Sequence, residues 1–175
     1  STLKRALELR PDVGREGVLT NLGNVARASG HTDEALEHHR EALRLERARF
    51  GETSRLARHH HNLGGVYRAA GRLEEARGEY ERAAELADEG SPQHALTLNS
   101  LGLVLAAEGD ADAARAMHLR SASLFAALDH GDIVLPQYNL AVLDAAEPVA
   151  AERGFATVVA GLARIGEHDT PRVAK

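Results

Sequence analysis

The sequence predicts an all-α fold, a stack of antiparallel helix pairs, on three observations. A five-residue signature recurs at spacings of 41, 38 and 39 residues. Each copy carries small residues at helical spacing. Finally, only 3% of the 175 residues are aromatic and none is Trp, so the core must be built from Leu, Val and Ala. Side chains of that size favour close helix–helix contact over thick sheet sandwiches. Self-similarity at such a period is the mark of a repeat architecture, in which no unit buries its apolar face alone.

The signature Asn21-Leu22-Gly23-Asn24-Val25 returns as Asn62-Leu63-Gly64-Gly65-Val66, then as Ser100-Leu101-Gly102-Leu103-Val104. A weaker fourth copy is Asn139-Leu140-Ala141-Val142-Leu143. It marks the first helix of each pair, and its Gly or Ala lets the paired helices approach closely. Seven residues after each signature glycine stands another, at Gly30, Gly71 and Gly109, suited to the left-handed turn that ends a helix. A second helix follows, with acidic residues in its first turn, where the helix dipole favours them: Asp33 and Glu34, Glu74 and Glu75, Asp112. Within it Ala35, His39, Ala42 and Leu43 recur as Ala76, Tyr80, Ala83 and Ala84, and as Ala114, His118, Ser121 and Ala122. Their spacing places each set on one stripe.

Taken in order, residues 1–12 read as the tail of a preceding repeat's second helix, closed by Pro11. Repeats over 13–50, 51–90 and 91–130 follow, then a divergent capping repeat over 131–166 and a tail over 167–175. The last repeat has Pro148 where the glycine stood, and Phe155, Val158, Val159, Leu162 and Ile165 along one side. This gives about eight helices plus a leading half-repeat, expected to be a piece of a longer array.

Composition removes several functions. Without cysteine there is no disulfide framework, thiolate zinc site or thiol nucleophile. A net charge of −5 argues against nucleic acid as a partner, since phosphate binding needs a basic surface. No apolar run of about 18 residues is present to span a membrane, nor a signal-type stretch at the start, so a cytoplasmic protein is expected. Lys4 and Lys175 are the only lysines among abundant arginines, a drift that points to a GC-rich bacterial genome.

The Leu-Gly pair, the following Tyr67, and Ala76 with Tyr80 resemble the tetratricopeptide repeat. The period exceeds that family's usual value of about 34 residues. It looks more like the longer-helix version in kinesin light chains and in the C-terminal repeats of AfsR-like bacterial regulatory ATPases. The resemblance covers residues 15 to 130 well and 131 to 166 poorly. It implies a right-handed superhelix whose concave side is lined by the first helices and takes a protein or peptide. The inward positions would be Thr20, Asn21, Asn24, Arg27, Arg58, His61, Asn62 and Arg68 in the N-terminal half. Leu96, Asn99, Leu103, Leu135, Tyr138, Asn139 and Val142 would line the C-terminal half.

An amide carries both donors and an acceptor, so the recurring asparagines suit the backbone of an extended peptide. They suit hydrogen bonds between neighbouring helices equally well. The two halves together match a ligand acidic at one end and apolar at the other. The chaperone-tail clamp of this family is not expected. Asn24 and Asn62 match its asparagines, but Thr20, Leu96 and Ser100 stand where basic residues belong.

Metal and catalytic chemistry find little support. Consecutive helical residues point about 100° apart, so His59, His60 and His61 cannot easily share one ion. Glu34 and His38 make at most a weak surface site. No phosphate loop, nucleophile elbow or dinucleotide fingerprint is present, so neither enzyme activity nor a cofactor is expected. The alternatives to a binding scaffold are a sensor arm regulating an adjoining ATPase or transcription-factor domain, and an oligomerisation element using Leu3, Ala6 and Leu7.

Overall fold

The computed structural model describes residues 14–129 and 131–144, and among them every regular element is helical. In chain order these are α1 (Arg15–Ala28), α2 (Thr32–Phe50), a 3-10 turn (Ser54–Leu56), α3 (Ala57–Ala69), α4 (Leu73–Leu86), α5 (Pro92–Glu108), α6 (Ala111–Ala127), a second 3-10 turn (Gly131–Ile133) and α7 (Val134–Asp144). The expected leading half-repeat, Pro148, the stripe from Phe155 to Ile165 and the tail lie outside the described residues. None of the described helices is long and apolar enough to cross a membrane.

The chain divides into two compact units, Ser1–Glu89 and Gly90–Lys175. In the first, α1 pairs with α2 and α3 with α4, while α2 packs on α3 and α1 touches α3. In the second, α5 pairs with α6, α6 packs on α7, and α5 reaches α7.

The helix boundaries follow the local chemistry. Gly30, Gly71 and Gly109 all take positive φ, at 77°, 73° and 91°. This left-handed step lets the next residue's N–H reach back across the turn, from His31 to the Ala26 carbonyl, Arg72 to Tyr67 and Asp110 to Leu105, each 2.9 Å. The chain then enters the second helix within two residues, so the pair is necessarily antiparallel. Asp110 and Ser91 cap α6 and α5 by accepting from the N–H groups of Ala113 and His94.

The second-helix stripe is buried as its spacing requires. Ala35, Ala42, Ala76, Ala83 and Ala114 have no exposed surface, and Leu43 is buried with them. Ala84 and Ala122 are half-buried. At the stripe's ring position His39, Tyr80 and His118 are all buried, and each lies flat against the signature glycine of its partner helix. A Cβ on Gly23 would stand 2.6 Å from His39 Nε2, one on Gly64 2.9 Å from Tyr80 Cδ1, and one on Gly102 2.7 Å from His118 Cε1. Such distances are not tolerated, and a buried ring has nowhere to retreat.

The same substitution should therefore change sign between two helical glycines. Gly64→Ala gains about 1 kcal/mol of helix propensity but overpacks the Tyr80 ring, which costs about 1–3 kcal/mol, so a net loss of stability is expected. Gly78, exposed within α4 with nothing within 4 Å of its missing Cβ, should gain up to about 1 kcal/mol on Gly78→Ala. Urea unfolding followed by circular dichroism measures both, and a gain at Gly64 would show that the ring has room to move.

Candidate binding surface

In the first unit the surface is built from α1 and α3, whose signature registers coincide. Asn21 and Arg27 on α1 are exposed and Asn24 is half-buried; on α3, Arg58 and Arg68 are exposed and Asn62 is half-buried. Among the described residues the amides of Asn21, Asn24 and Asn62 make no hydrogen bond. Thr20 is buried and its hydroxyl donates to the Glu16 carbonyl at 2.8 Å, a bond along its own helix.

The three consecutive histidines take three different environments. His61 is half-buried and meets the Tyr80 ring edge-on, with centroids 5.2 Å apart. Burial, helped by Arg68 and Arg27, lowers its pKa to about 4. His60 turns into the core, where its Nδ1 pairs with Glu79 Oε2 at 2.7 Å and its Nε2 lies 3.5 Å from Arg47 Nη2. His59 is wholly buried.

The pair His39 and His59 carries no signal in the sequence. Neither ring has exposed surface, and none of their four nitrogens has a hydrogen-bond partner. Burial comes first in lowering His39 to about 4, followed by the charges of His59, Arg27 and His38. Burial also comes first for His59, likewise lowered to about 4, with Arg58 and His60 adding and Glu16 opposing. These rings are filling space as neutral groups.

The asparagines of the second unit behave differently from those of the first. Asn99 is buried, and its Oδ1 accepts from both the His118 ring at Nδ1 and the Asn139 amide, each at 2.9 Å. Two amides and one imidazole thereby tie α5, α6 and α7 together. This arrangement makes Nδ1 the protonated nitrogen of His118, whose pKa burial lowers to about 4. Outside that tie, Leu135, Tyr138 and Val142 stand 47%, 53% and 50% exposed along one side of α7. Leu96 and Leu103 on α5 are half-buried.

A separate cleft of about 720 Å³ lies in the first unit, floored by Leu19 and Leu36 and rimmed by Arg15, Arg40, Arg44, Asp33, Glu37 and Glu41. None of the residues expected to bind a ligand lines it. Among the described residues no group of three or more histidine and carboxylate side chains could hold a metal ion. Glu34 does lie 3.6 Å from His38 and 3.8 Å from His31.

Comparison with known proteins agrees with this geometry. Family models described as "Tetratricopeptide repeat" match residues 15–89 and 95–117. No curated protein matches the sequence. Among solved structures, BtubC (BKLC) from P. vanneervenii is 26% identical, with a TM-score of 0.75, over 91% of this chain and 68% of that one. MamA is 17% identical, with a TM-score of 0.70, over 94% and 87%. A Rap protein, solved in complex with Competence and Sporulation Factor, is 16% identical with a TM-score of 0.81; the match covers 91% of this chain but 46% of that one. At such identities the last two show the fold alone.

The buried imidazoles make the chain acid-labile in a stated direction. Their folded pKa values near 4 lie below the ordinary 6.5, so stability is full above pH 6.5 and is lost as pH falls from there towards 4. Each proton forced onto a buried ring should cost on the order of 1–3 kcal/mol. His39→Phe, which keeps a ring against Gly23 without the nitrogens, should flatten the loss of melting temperature between pH 7 and 5. An unchanged pH profile would mean that other groups control the acid response.

Proposed function

For a chain that belongs to the tetratricopeptide-repeat family, we propose a protein-interaction scaffold whose first helices hold an extended segment of a partner protein. The observation that carries this reading is the pair Asn21 and Asn62. They occupy the same register on successive first helices of one unit, and their amides have no hydrogen-bond partner among the described residues. A side-chain amide can donate to a peptide carbonyl and accept from a peptide N–H together, whatever the peptide's own side chains are. An interhelix role would have tied these amides up, as it does Asn99 and Asn139.

The apolar strip Leu135, Tyr138 and Val142 supports an apolar contact on the second unit, since exposed apolar patches mark interaction surfaces. The reading includes no catalytic step and no cofactor. The Rap protein solved with Competence and Sporulation Factor shows only that this fold is compatible with a bound partner.

Panning a random peptide display library against the intact chain, with Asn21→Ala/Asn62→Ala as a parallel bait, tests the proposal. Peptides enriched on the chain should bind the double variant about tenfold more weakly, the effect of losing two or more hydrogen bonds at ~0.5–1.5 kcal/mol each. Asn139 is unsuitable here because its loss would also break the tie to Asn99. Enrichment indifferent to the double variant would remove the asparagines from the site, and no enrichment on a folded chain would defeat the reading.

A further inference from the structure

The cleft of about 720 Å³ in the first unit has no part in the chemistry assigned so far. Its floor is apolar, Leu19 and Leu36. Two residues of its lining carry a buried nitrogen without a hydrogen-bond partner, Arg15 at Nε and His38 at Nε2. Glu34 Oε1, 3.6 Å from that imidazole nitrogen, is beyond hydrogen-bonding distance. Buried polar atoms left unpaired are uncommon in folded proteins. Glu37, exposed on the same rim, has no ion-pair partner among the described residues. Arg40 and Arg44 are already engaged, by the Tyr67 hydroxyl and by Glu41.

One repeat further on, the equivalent surface is covered. A shift of 41 residues maps Arg15, Leu19 and His38 onto Leu56, His60 and Glu79. There the preceding second helix, α2, packs on α3 and on the 3-10 turn that holds Leu56. Leu56 has no exposed surface, and the His60 imidazole meets Glu79 at 2.7 Å and Arg47 of α2 at 3.5 Å. The last turns of α2 read Ala42-Leu43-Arg44-Leu45. A like run, Ala6-Leu7-Glu8-Leu9, precedes the cleft in the sequence, with Leu3, Ala6 and Leu7 spaced as one helical stripe. Its flanking charges, Lys4 and Glu8, have both signs, as the rim does. Residues 11–14 join this run to α1, much as 51–56 join α2 to α3 and 87–91 join α4 to α5.

We propose that the cleft is a helix seat occupied by the chain's own residues 2–10, with Leu3 and Leu7 on the floor of Leu19 and Leu36. A segment running antiparallel to α1 brings Glu8 towards Arg15 and Lys4 towards Glu37, so unlike charges meet at both places. The inference goes beyond the scaffold reading and is independent of it, since none of the asparagines lines this cleft. A second copy of the chain offers the same residues but lacks the short connection. That connection gives the chain's own segment an effective concentration in the millimolar range. A foreign helix of like pattern gains the cleft only by displacing it.

The full chain has no cysteine, so introduced pairs report contacts without background. Lys4→Cys/Glu37→Cys and Glu8→Cys/Arg15→Cys place thiols at the two meeting points and keep Leu3 and Leu7. Treated with a short bifunctional maleimide at low protein concentration, both should bridge within the monomer, at least about tenfold faster than a control. The control is Lys4→Cys/Gly78→Cys, whose second position is exposed on α4. A second measurement is hydrogen exchange of the α1 amides. In Leu3→Asp/Leu7→Asp it should speed up about tenfold or more, as expected for the loss of buried leucine contacts.

Bridging no faster than the control, or α1 exchange indifferent to the two aspartates, overturns the proposal. Bridges formed only between chains overturn it too and reassign the cleft to a second copy. None of these outcomes touches the scaffold reading, which stands or falls with the asparagines.

Discussion

Three pairs of helices in this protein are set at their distance by a ring lying on a glycine. His39 on Gly23, Tyr80 on Gly64 and His118 on Gly102 leave no room for a single added carbon. Because the ring is buried, the contact can neither loosen nor slide without opening the pair. The small stripe residues Ala35, Ala76 and Ala114, all without exposed surface, belong to the same constraint, since close approach needs small residues on both helices. Close-packed interiors respond to changes of one methyl group, and these seats lie at that limit.

That constraint shapes the polar chemistry of the core. Two of the three rings are histidines, and a histidine chosen for its shape brings two nitrogens that the core must bond or leave bare. The second unit bonds one of them: His118 donates to Asn99, which also accepts from Asn139. The first unit leaves His39 bare and places His59 beside it in the same state. Both arrangements keep the ring neutral, because an imidazolium would be buried without a counter-charge. The two units thus solve one packing problem with different polar outcomes, and only in the second are asparagines drawn into the bonding.

The surface follows from what the interior and the local pairs leave over. Second helices carry acidic residues with arginines three positions away, so their charges close on one another as in Arg44 with Glu41 and Arg82 with Glu85. First helices have almost no acidic residues, and their arginines remain without such partners. The net charge of the chain conceals this, since it sums over faces that point in different directions. Recognition depends on the local face, and the scaffold itself does not dictate which ligand it serves.

The repeat, the helix pairs, the glycine turns and the buried stripe were all legible in the sequence, because each depends on residues within one helical hairpin. Gly30, Gly71 and Gly109 end helices through their own φ, and the Ala and ring positions are fixed by helical spacing alone. That His59, His60 and His61 take three separate environments followed from the same spacing, since consecutive helical residues point about 100° apart. Burial of His59 beside His39 was not legible, since it joins α2 to α3 and depends on how two hairpins lean together. The division of the asparagines was hidden for the same reason. Asn62 and Asn139 precede the same signature Leu, and nothing local separates them. Only the presence of Asn99 within 2.9 Å of Asn139, a neighbour brought from 40 positions away in the chain, ties up one amide and leaves the other without a hydrogen bond among the described residues.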